Sequence, residues 1–183
     1  RVLKMYSMTY DIPGDVQVEV NGLDLKISGD GKVNERIFKA KHVEIKKDDG
    51  TLTVFTKSPK KVDRADVGTV MGHIKNMVLG IENGVEYKMK IIYSHFPMNV
   101  KIEGDKISVE NYLGEKNPRV LKIIENVQVK LNGQDITLTG HNKESVSLCA
   151  AQLEQLCRPR NKDKRVFQDG IYITVKNGKP VKK

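Results

Sequence analysis

The sequence predicts an α+β protein built from two tandem repeats, each a small, mainly antiparallel sheet packed by one helix. Apolar residues recur at an offset of 84 positions through most of both halves of the chain of 183 residues. They alternate with polar residues, as half-buried antiparallel strands require, and each half then ends in a stretch of helical periodicity. We therefore expect a first repeat over residues 1–83 and a second over residues 84–183, with the hinge at Glu82-Asn83-Gly84.

The strands occupy the first part of each repeat. At the offset of 84, Leu23 aligns with Ile107 and Leu25 with Val109. The same alternation continues on both sides of these residues, so the pattern predicts several short strands in each half. The other aligned pairs are Ile12 with Phe96, Val16 with Val100, Val18 with Ile102, Val43 with Val127, Ile45 with Val129, Leu52 with Ile136 and Val54 with Leu138.

Glycine-containing segments mark the turns between the predicted strands. Glycine adopts the positive φ that a two-residue hairpin needs without steric strain. Gly29-Asp30-Gly31-Lys32 has some likeness to a phosphate loop, but it lacks the Walker spacing and a following Ser or Thr. We therefore interpret it as a turn that connects two strands. The other turn dipeptides are Asn21-Gly22, Asp49-Gly50 and Asn132-Gly133.

A one-sided apolar stripe closes each repeat and predicts a helix that covers the sheet. In the first repeat, Gly68 and Gly72 each cost a helix about 1 kcal/mol relative to Ala. An alternative is that they allow close approach of the backbone to the sheet or to a partner. The stripe consists of Val67, Val70, Met71, Ile74, Met77 and Val78 in the first repeat, and of Val146, Cys149, Ala150, Leu153, Leu156 and Cys157 in the second.

Positive charge is concentrated in the last 26 residues. The chain has a formal net charge of +9, and residues 158–183 hold nine Lys and Arg against two Asp. A concentrated cationic end attracts a polyanion through counterion release. The alternative is a solvated tail that serves only solubility. A second cationic segment precedes the first helix and consists of Lys57-Ser58-Pro59-Lys60-Lys61. It is either a solvated loop, which we favour slightly, or a second RNA contact.

Within residues 161–173, basic side chains alternate with aromatic ones. An expected turn at Asp169-Gly170 then leads into a short Ile-Tyr-Ile strand that ends the same range. Basic side chains of this kind bind RNA phosphates. Phe167 and Tyr172 either stack on bases or anchor the segment in the core, and we favour the core for both. We therefore expect the Lys and Arg side chains, rather than the aromatic ones, to do the binding.

No catalytic or metal-binding motif is recognisable. Cys149 and Cys157 lack the spacing of zinc ligands, so we expect buried, reduced thiols. Ser94 and His95 lack the context of a hydrolase nucleophile. His95 either contacts RNA, by stacking on a base or bonding a phosphate, or is a structural turn residue. Without a signal-peptide stretch or an apolar run of about 18 residues, we expect a soluble, intracellular protein without cofactor or enzymatic activity.

Several longer motifs, in order along essentially the whole chain, resemble one known family. They are Asp11-Ile12-Pro13, His73-Ile74-Lys75-Asn76-Met77, Tyr87-Lys88-Met89-Lys90, Tyr93-Ser94-His95-Phe96-Pro97-Met98-Asn99-Val100, Asn111-Tyr112-Leu113-Gly114-Glu115-Lys116, Ser145-Val146-Ser147, and residues 161–173 with Lys176. On these residues the chain resembles the universal large-subunit ribosomal protein six family, called nine in eukaryotic nomenclature, in its archaeal and eukaryotic branch. The resemblance implies two tandem α+β domains related by duplication, in agreement with the repeat.

The resemblance also implies a function. It implies a non-enzymatic, structural constituent of the large ribosomal subunit that binds large-subunit ribosomal RNA beside the sarcin–ricin loop. The implied partners are that RNA and neighbouring ribosomal proteins, with translational GTPases docking nearby and no membrane. The implied location is cytoplasmic, on the ribosome, with nucleolar assembly if the source is eukaryotic. A free RNA-binding chaperone or regulator is the alternative.

We expect the second repeat to make most of the RNA contact. Two departures from the family pattern remove cations from the first repeat: Gly29-Asp30-Gly31 stands where Gly-Pro-Arg-Gly is usual, and Gly68-Thr69 where Arg-Thr is frequent. Besides His95, one predicted basic edge consists of Lys88, Lys90, Lys116 and Arg119. The other consists of Arg158, Arg160, Lys162, Lys164, Arg165 and Lys176, with Lys179, Lys182 and Lys183 on a tail ordered only by RNA.

Overall fold

The computed structural model describes residues 5–58, 60–94, 96–163 and 165–181. The chain divides between Gly84 and Val85 into two compact units, which we call the first and the second unit. Each unit has one long helix packed on antiparallel strands, so the predicted fold class is confirmed. The strands of each unit are shared between two sheets rather than one.

The first unit contains six strands and one helix. Its two three-stranded sheets have the strand orders β1-β6-β5 and β2-β3-β4, and every pair is antiparallel. The elements are β1 (Tyr6–Asp11), β2 (Gln17–Asn21), β3 (Asp24–Gly29), β4 (Lys32–Ile37), β5 (Glu44–Asp48), β6 (Thr51–Thr56) and α1 (Lys61–Asn83).

The second unit repeats this order and then adds two strands. Its sheets have the strand orders β10-β9-β8 and β11-β12-β7-β13-β14, again with antiparallel pairs only. The elements are β7 (Val85–Ile92), β8 (Asn99–Glu103), β9 (Lys106–Glu110), a short 3-10 helix (Tyr112–Gly114), β10 (Arg119–Lys122), β11 (Val127–Asn132), β12 (Asp135–Gly140), α2 (Lys143–Leu156), β13 (Gly170–Lys176) and β14 (Lys179–Pro180).

The predicted apolar stripes lie in the cores of the two units. Along α1 and α2 the stripe residues are buried, except Met77 and Leu156, which are half-buried. No neighbouring atom lies within 4 Å of the position that a Cβ would take at Gly68 or Gly72. The alternative that these glycines allow close approach to the sheet is therefore wrong, and close approach to a partner stays a prediction.

The four turns predicted between strands are confirmed, but the offset between the repeats is not constant. Gly29-Asp30-Gly31-Lys32 forms the β3–β4 turn, with positive φ at Asp30 (56°) and Gly31 (72°). In the first hairpin of each unit, Asn21 faces Asp24 and Glu103 faces Lys106 across the turn, which is an offset of 82. The offset of 84 holds for β5–β6 against β11–β12.

This difference of two residues changes the equivalent positions. Leu25 corresponds to Ile107 and Ile27 to Val109, and all four side chains are buried. The predicted pairs of Leu23 with Ile107 and Leu25 with Val109 are therefore wrong. The predicted pairs of Val16 with Val100 and Val18 with Ile102 are wrong for the same reason, because Val18 corresponds to Val100. Since side chains alternate with a period of two along a strand, a shift of two residues keeps the same face buried and leaves the apolar pattern unchanged.

Candidate RNA interface

A group of exposed cations follows the C-terminal end of α2. Arg158 and Arg160 are exposed in the connection that leaves the helix. The Lys162 Nζ lies 4.5 Å from the centre of the Phe167 ring, which holds this ammonium close to the protein surface. The Arg165 Nε lies 3.4 Å from an Asp163 carboxylate oxygen, with 92% of the Arg165 side chain exposed. The described part of this segment therefore presents cations to solvent.

A buried aspartate fastens the end of this segment to the sheet. Asp169 is 0% exposed, and one of its carboxylate oxygens accepts hydrogen bonds from the Ser94 amide (3.0 Å) and the Ser94 hydroxyl (2.9 Å). The hydroxyl of buried Tyr112 donates to the Asp169 carbonyl oxygen at 3.3 Å. Three separate stretches of the second unit thus meet at Asp169, just before β13 begins.

The expected turn at Asp169-Gly170 is wrong. Gly170 is the first residue of β13 and lies opposite Ile92 of β7. A Cβ at this position would lie 3.1 Å from the Cys157 carbonyl oxygen and from the Tyr172 ring, so glycine is needed for close packing. Sequence reasoning missed the anchoring role of Asp169 because an Asp-Gly dipeptide usually marks a turn. The same dipeptide also fits a buried aspartate that is followed by a closely packed glycine.

Arg119 does not join the edge predicted for it. Its guanidinium donates to both carboxylate oxygens of Glu115, at 2.7 and 2.5 Å, and to the Leu156 carbonyl oxygen. It also lies 4.3 Å from the centre of the Tyr112 ring, and only 20% of its side chain is exposed. These contacts place Arg119 at the C-terminal end of α2. We therefore assign it a role in holding the second unit together, and its predicted contact with RNA stays untested.

The pKa values around Arg119 follow from these contacts. The hydrogen bonds from Arg119 lower the pKa of Glu115, to which the charge of nearby Arg160 also contributes. Burial raises the pKa of the Cys157 thiol to about 12, against the opposing effect of Arg119. Cys149 and Cys157 are both buried and free, as predicted. Both thiols are therefore protonated, packed side chains at neutral pH.

Lys88 and Lys90 lie on a different surface from Arg119. The side chains of β7 alternate between buried and exposed, and the buried ones face the core that α2 shares. Lys88 and Lys90 therefore lie on the face of β7 that points away from α2. The Lys88 Nζ lies 3.1 Å from a Glu86 carboxylate oxygen, and Lys90 is opposite Asp135 and Tyr172 in the sheet. The predicted edge of four cations is thus divided.

The remaining predicted residues lie at the ends of elements or outside the described residues. Lys116 is exposed after the short 3-10 helix. Lys176 and Lys179 face each other across the β13–β14 hairpin and are exposed. Lys179 therefore belongs to a strand rather than to a tail ordered only by RNA, and Asn177-Gly178, with positive φ at both residues, was the turn signal. Outside the described residues lie His95, Lys164, Lys182 and Lys183.

Within the described ranges, no group of three or more His, Cys, Asp or Glu side chains has the arrangement of a metal site. Among the same residues, neither helix is long and apolar enough to cross a membrane.

Comparisons with known proteins identify the family. The model of the ribosomal protein L6 family matches residues 12–84 and again residues 96–170, which confirms the tandem duplication. The chain is 44% identical over 169 residues to large ribosomal subunit protein uL6 of Methanococcus vannielii, covering 92% of this chain and 93% of that protein. It is also 44% identical to the uL6 proteins of Archaeoglobus fulgidus, over 171 residues (91% of this chain and 87% of that protein), and Methanosphaera stadtmanae, over 166 residues (90% of each). These matches show that the chain belongs to the ribosomal protein L6 family, in its archaeal branch, a family of structural, non-enzymatic proteins.

Proposed function

We propose that this chain is a structural constituent of the large ribosomal subunit that binds large-subunit ribosomal RNA through its second unit. The names of its relatives, large ribosomal subunit protein, support the ribosomal role. The observation that carries the RNA contact is the group of exposed cations after α2, Arg158, Arg160 and Lys162, whose segment ends at the buried Asp169 anchor. On this proposal the protein resides on cytoplasmic ribosomes.

The cations act on the RNA backbone. Arginine guanidinium groups match phosphate geometry with two parallel hydrogen bonds, whereas lysine acts as a point charge. An A-form major groove is too narrow for side chains, so a folded domain reads phosphates, 2′-hydroxyls and shape. Since Asp169 ties the cationic segment to β7 and to Tyr112, the positive charges are held on a rigid base. Such charges reduce the electrostatic repulsion between neighbouring RNA helices and so stabilise their packing.

The family resemblance supports a finer proposal on location. In this proposal the second unit contacts RNA beside the sarcin–ricin loop, next to the docking site of translational GTPases and to neighbouring ribosomal proteins. Cross-linking of the protein to RNA within intact large subunits, followed by mapping of the linked nucleotides, tests the location. Cross-links confined to RNA far from that loop would contradict it.

A salt titration tests the RNA contact itself. The fourfold variant Arg158→Gln, Arg160→Gln, Lys162→Gln and Lys176→Gln removes exposed cations without touching the core. Each lost phosphate contact lowers the slope of log affinity against log salt by about 0.7–0.9, so we expect the slope to flatten by roughly 3 units. The measurement is binding of the full chain to large-subunit ribosomal RNA between low and physiological salt.

A variant with the same change of charge in the first unit is the matched control. Lys26, Lys39, Lys41 and Lys46 are exposed and lie outside the cationic loop before α1, and changing all four to Gln alters net charge by the same amount. We expect this variant to retain the wild-type slope. Equal flattening by both variants would mean that general charge, not the second unit, holds the RNA. Protein that leaves large subunits after a moderate salt wash would favour the free RNA-binding chaperone or regulator.

A further inference from the structure

An open cavity of about 340 Å³ lies between the C-terminal end of α2 and strand β13. Its volume is within the range of sites that hold small organic molecules or parts of larger ones. The buried residues Cys157 and Pro159 form an apolar part of the cavity wall, and the Tyr172 ring forms another part of this wall. Among the described residues, those that line it are Glu154, Gln155, Cys157, Arg158, Pro159 and Tyr172.

The aromatic part of the wall is held in a fixed position. The Tyr172 hydroxyl donates a hydrogen bond to the Gln168 carbonyl oxygen at 3.0 Å. The ring packs against Gly170, where a Cβ would lie 3.1 Å from two of the ring atoms. A ring fixed at its hydroxyl and along its side loses little conformational freedom when a flat group stacks on it. Tyr172 is therefore preorganised for stacking.

The polar side chains of the cavity have opposite charges. A Glu154 carboxylate oxygen accepts the Ile173 amide hydrogen bond at 3.5 Å, which orients the group beside Tyr172. A carboxylate has two oxygens and about four acceptor sites, and it offers no donor. Arg158 is exposed at the same cavity and begins the cationic segment described above. An occupant that suits this lining has a flat ring, N–H donors and a nearby negative charge.

We propose that the cavity holds one extrahelical nucleotide of large-subunit ribosomal RNA. Its base stacks on Tyr172 and presents N–H donors to Glu154, and its phosphate contacts Arg158. Unstacked bases bound on aromatic side chains and read at their edges are the usual means of sequence-specific RNA recognition. This inference rests on the proposed function and adds sequence selectivity, because phosphate contacts position a protein whereas base contacts specify it.

The Tyr172→Leu variant tests stacking in the full chain bound to large-subunit ribosomal RNA. Removal of one base–aromatic stack is expected to weaken binding about 5- to 150-fold. The salt slope is expected to stay unchanged because no phosphate contact is lost. Tyr172→Phe retains the ring and is expected to bind within a few-fold of the wild type. Tyr6→Leu removes an exposed tyrosine from the first unit and is expected to have no effect on binding.

A second variant keeps the test decisive if Tyr172→Leu unfolds the second unit, which thermal unfolding detects. Glu154→Gln retains the size of the side chain and is expected to weaken binding about tenfold, since a charged acceptor is lost. Folded Tyr172→Leu or Glu154→Gln protein that binds with wild-type affinity would overturn the inference. Cross-links from position 172 in intact subunits to a protein chain instead of RNA would also overturn it. If the proposed function itself fails, the fourfold cation variant also binds RNA with wild-type affinity. If only this inference fails, the fourfold cation variant still binds more weakly than the wild type.

Discussion

The two units share one order of strands and helix but differ at one edge of a sheet. In the first unit, β1 is the outer strand of the sheet β1-β6-β5. In the second unit, the equivalent strand β7 is in the centre, because β13 and β14 extend the sheet beyond it. The chain between α2 and β13 carries the exposed cations and ends at Asp169. The added strands and the connection before them thus account for most of the chemistry that distinguishes the second unit.

The difference shows how one copy of a duplicated unit gains additional strands while it keeps the shared core. The shared part of each unit supplies a core, whose buried residues come from the strands and from one face of the helix. The added part of the second unit is fastened to that core by the pairing of β13 with β7, by the buried Ile171 and by the two Ser94 bonds to Asp169. A surface can therefore change charge without altering the packing that stabilises the fold.

The largest expected effect concerns the independence of the two cores. We propose that residues 1–83 and 84–183 fold as separate domains. Ile74 of α1 and Leu153 of α2 are both 0% exposed and lie at corresponding positions of the two stripes. Truncation of either to Ala is expected to cost its own domain about 2–5 kcal/mol through lost burial and a cavity. Calorimetry of the full chain should show only one of two unfolding transitions shifted by each variant.

The two fragments provide the control for this prediction. Each fragment, prepared alone, should unfold at the temperature of one transition of the full chain, which assigns the transitions. The Leu153→Ala change should then lower only the transition assigned to residues 84–183. A single transition that both substitutions lower equally would contradict the proposal, because the chain would then unfold as one cooperative unit.

The fold was predictable where the pattern depends on local periodicity. The burial of Ile74 and Leu153 followed from helical spacing, and the turn at Asp30 and Gly31 followed from its composition. The register between the repeats was not predictable, because moving Leu25 by two positions leaves it on the same face of the strand. When the offset between the two repeats is read from apolar residues alone, it can therefore be wrong by two residues.

The candidate site was predictable in composition and less so in arrangement. The cations after α2 follow from charge counting, and Arg158 and Arg160 are exposed as an RNA-binding role requires. Arg119 has the same formal charge, yet its bond to the Leu156 carbonyl oxygen joins residues that are 37 positions apart in sequence. Asp169 likewise depends on Ser94, 75 residues away. Sequence spacing cannot reveal such partners, because tertiary packing determines them.

A smaller effect separates the units at alkaline pH. Among described residues only the second unit contains cysteines, and burial raises the pKa of Cys157 to about 12. An unfolded thiol loses its proton above pH 9, whereas the folded one keeps it, so the unfolded state binds fewer protons and stability falls as pH rises. The expected loss is about 1.4 kcal/mol for each pH unit between pH 9 and 12.

Denaturant unfolding monitored between pH 8 and 10 measures this loss, in a range that precedes most tyrosine ionisation. Cys157→Ala removes one of two titrating thiols, since burial also raises the pKa of Cys149. The second unit of this variant should therefore show a shallower decline with pH despite a lower stability at pH 8. The first unit, whose described residues include no thiol, should change little over this range. An equal decline in both units, or an unchanged slope in the variant, would contradict the assignment to Cys157.

The smallest expected effect concerns the starts of the two helices. The Asn142 side chain caps α2 by accepting hydrogen bonds from the Glu144 and Ser145 amides, whereas Lys60 at the same position of α1 makes no side-chain cap bond. Asn142→Ala should destabilise the second unit by about 1 kcal/mol, and Lys60→Asn should stabilise the first by a similar amount, since Lys60 already has extended backbone angles. Lys60→Ala is the control, because it removes a positive charge from the helix N-terminus without supplying a cap. If Lys60→Ala stabilises the first unit as much as Lys60→Asn does, charge rather than capping separates the two helix starts.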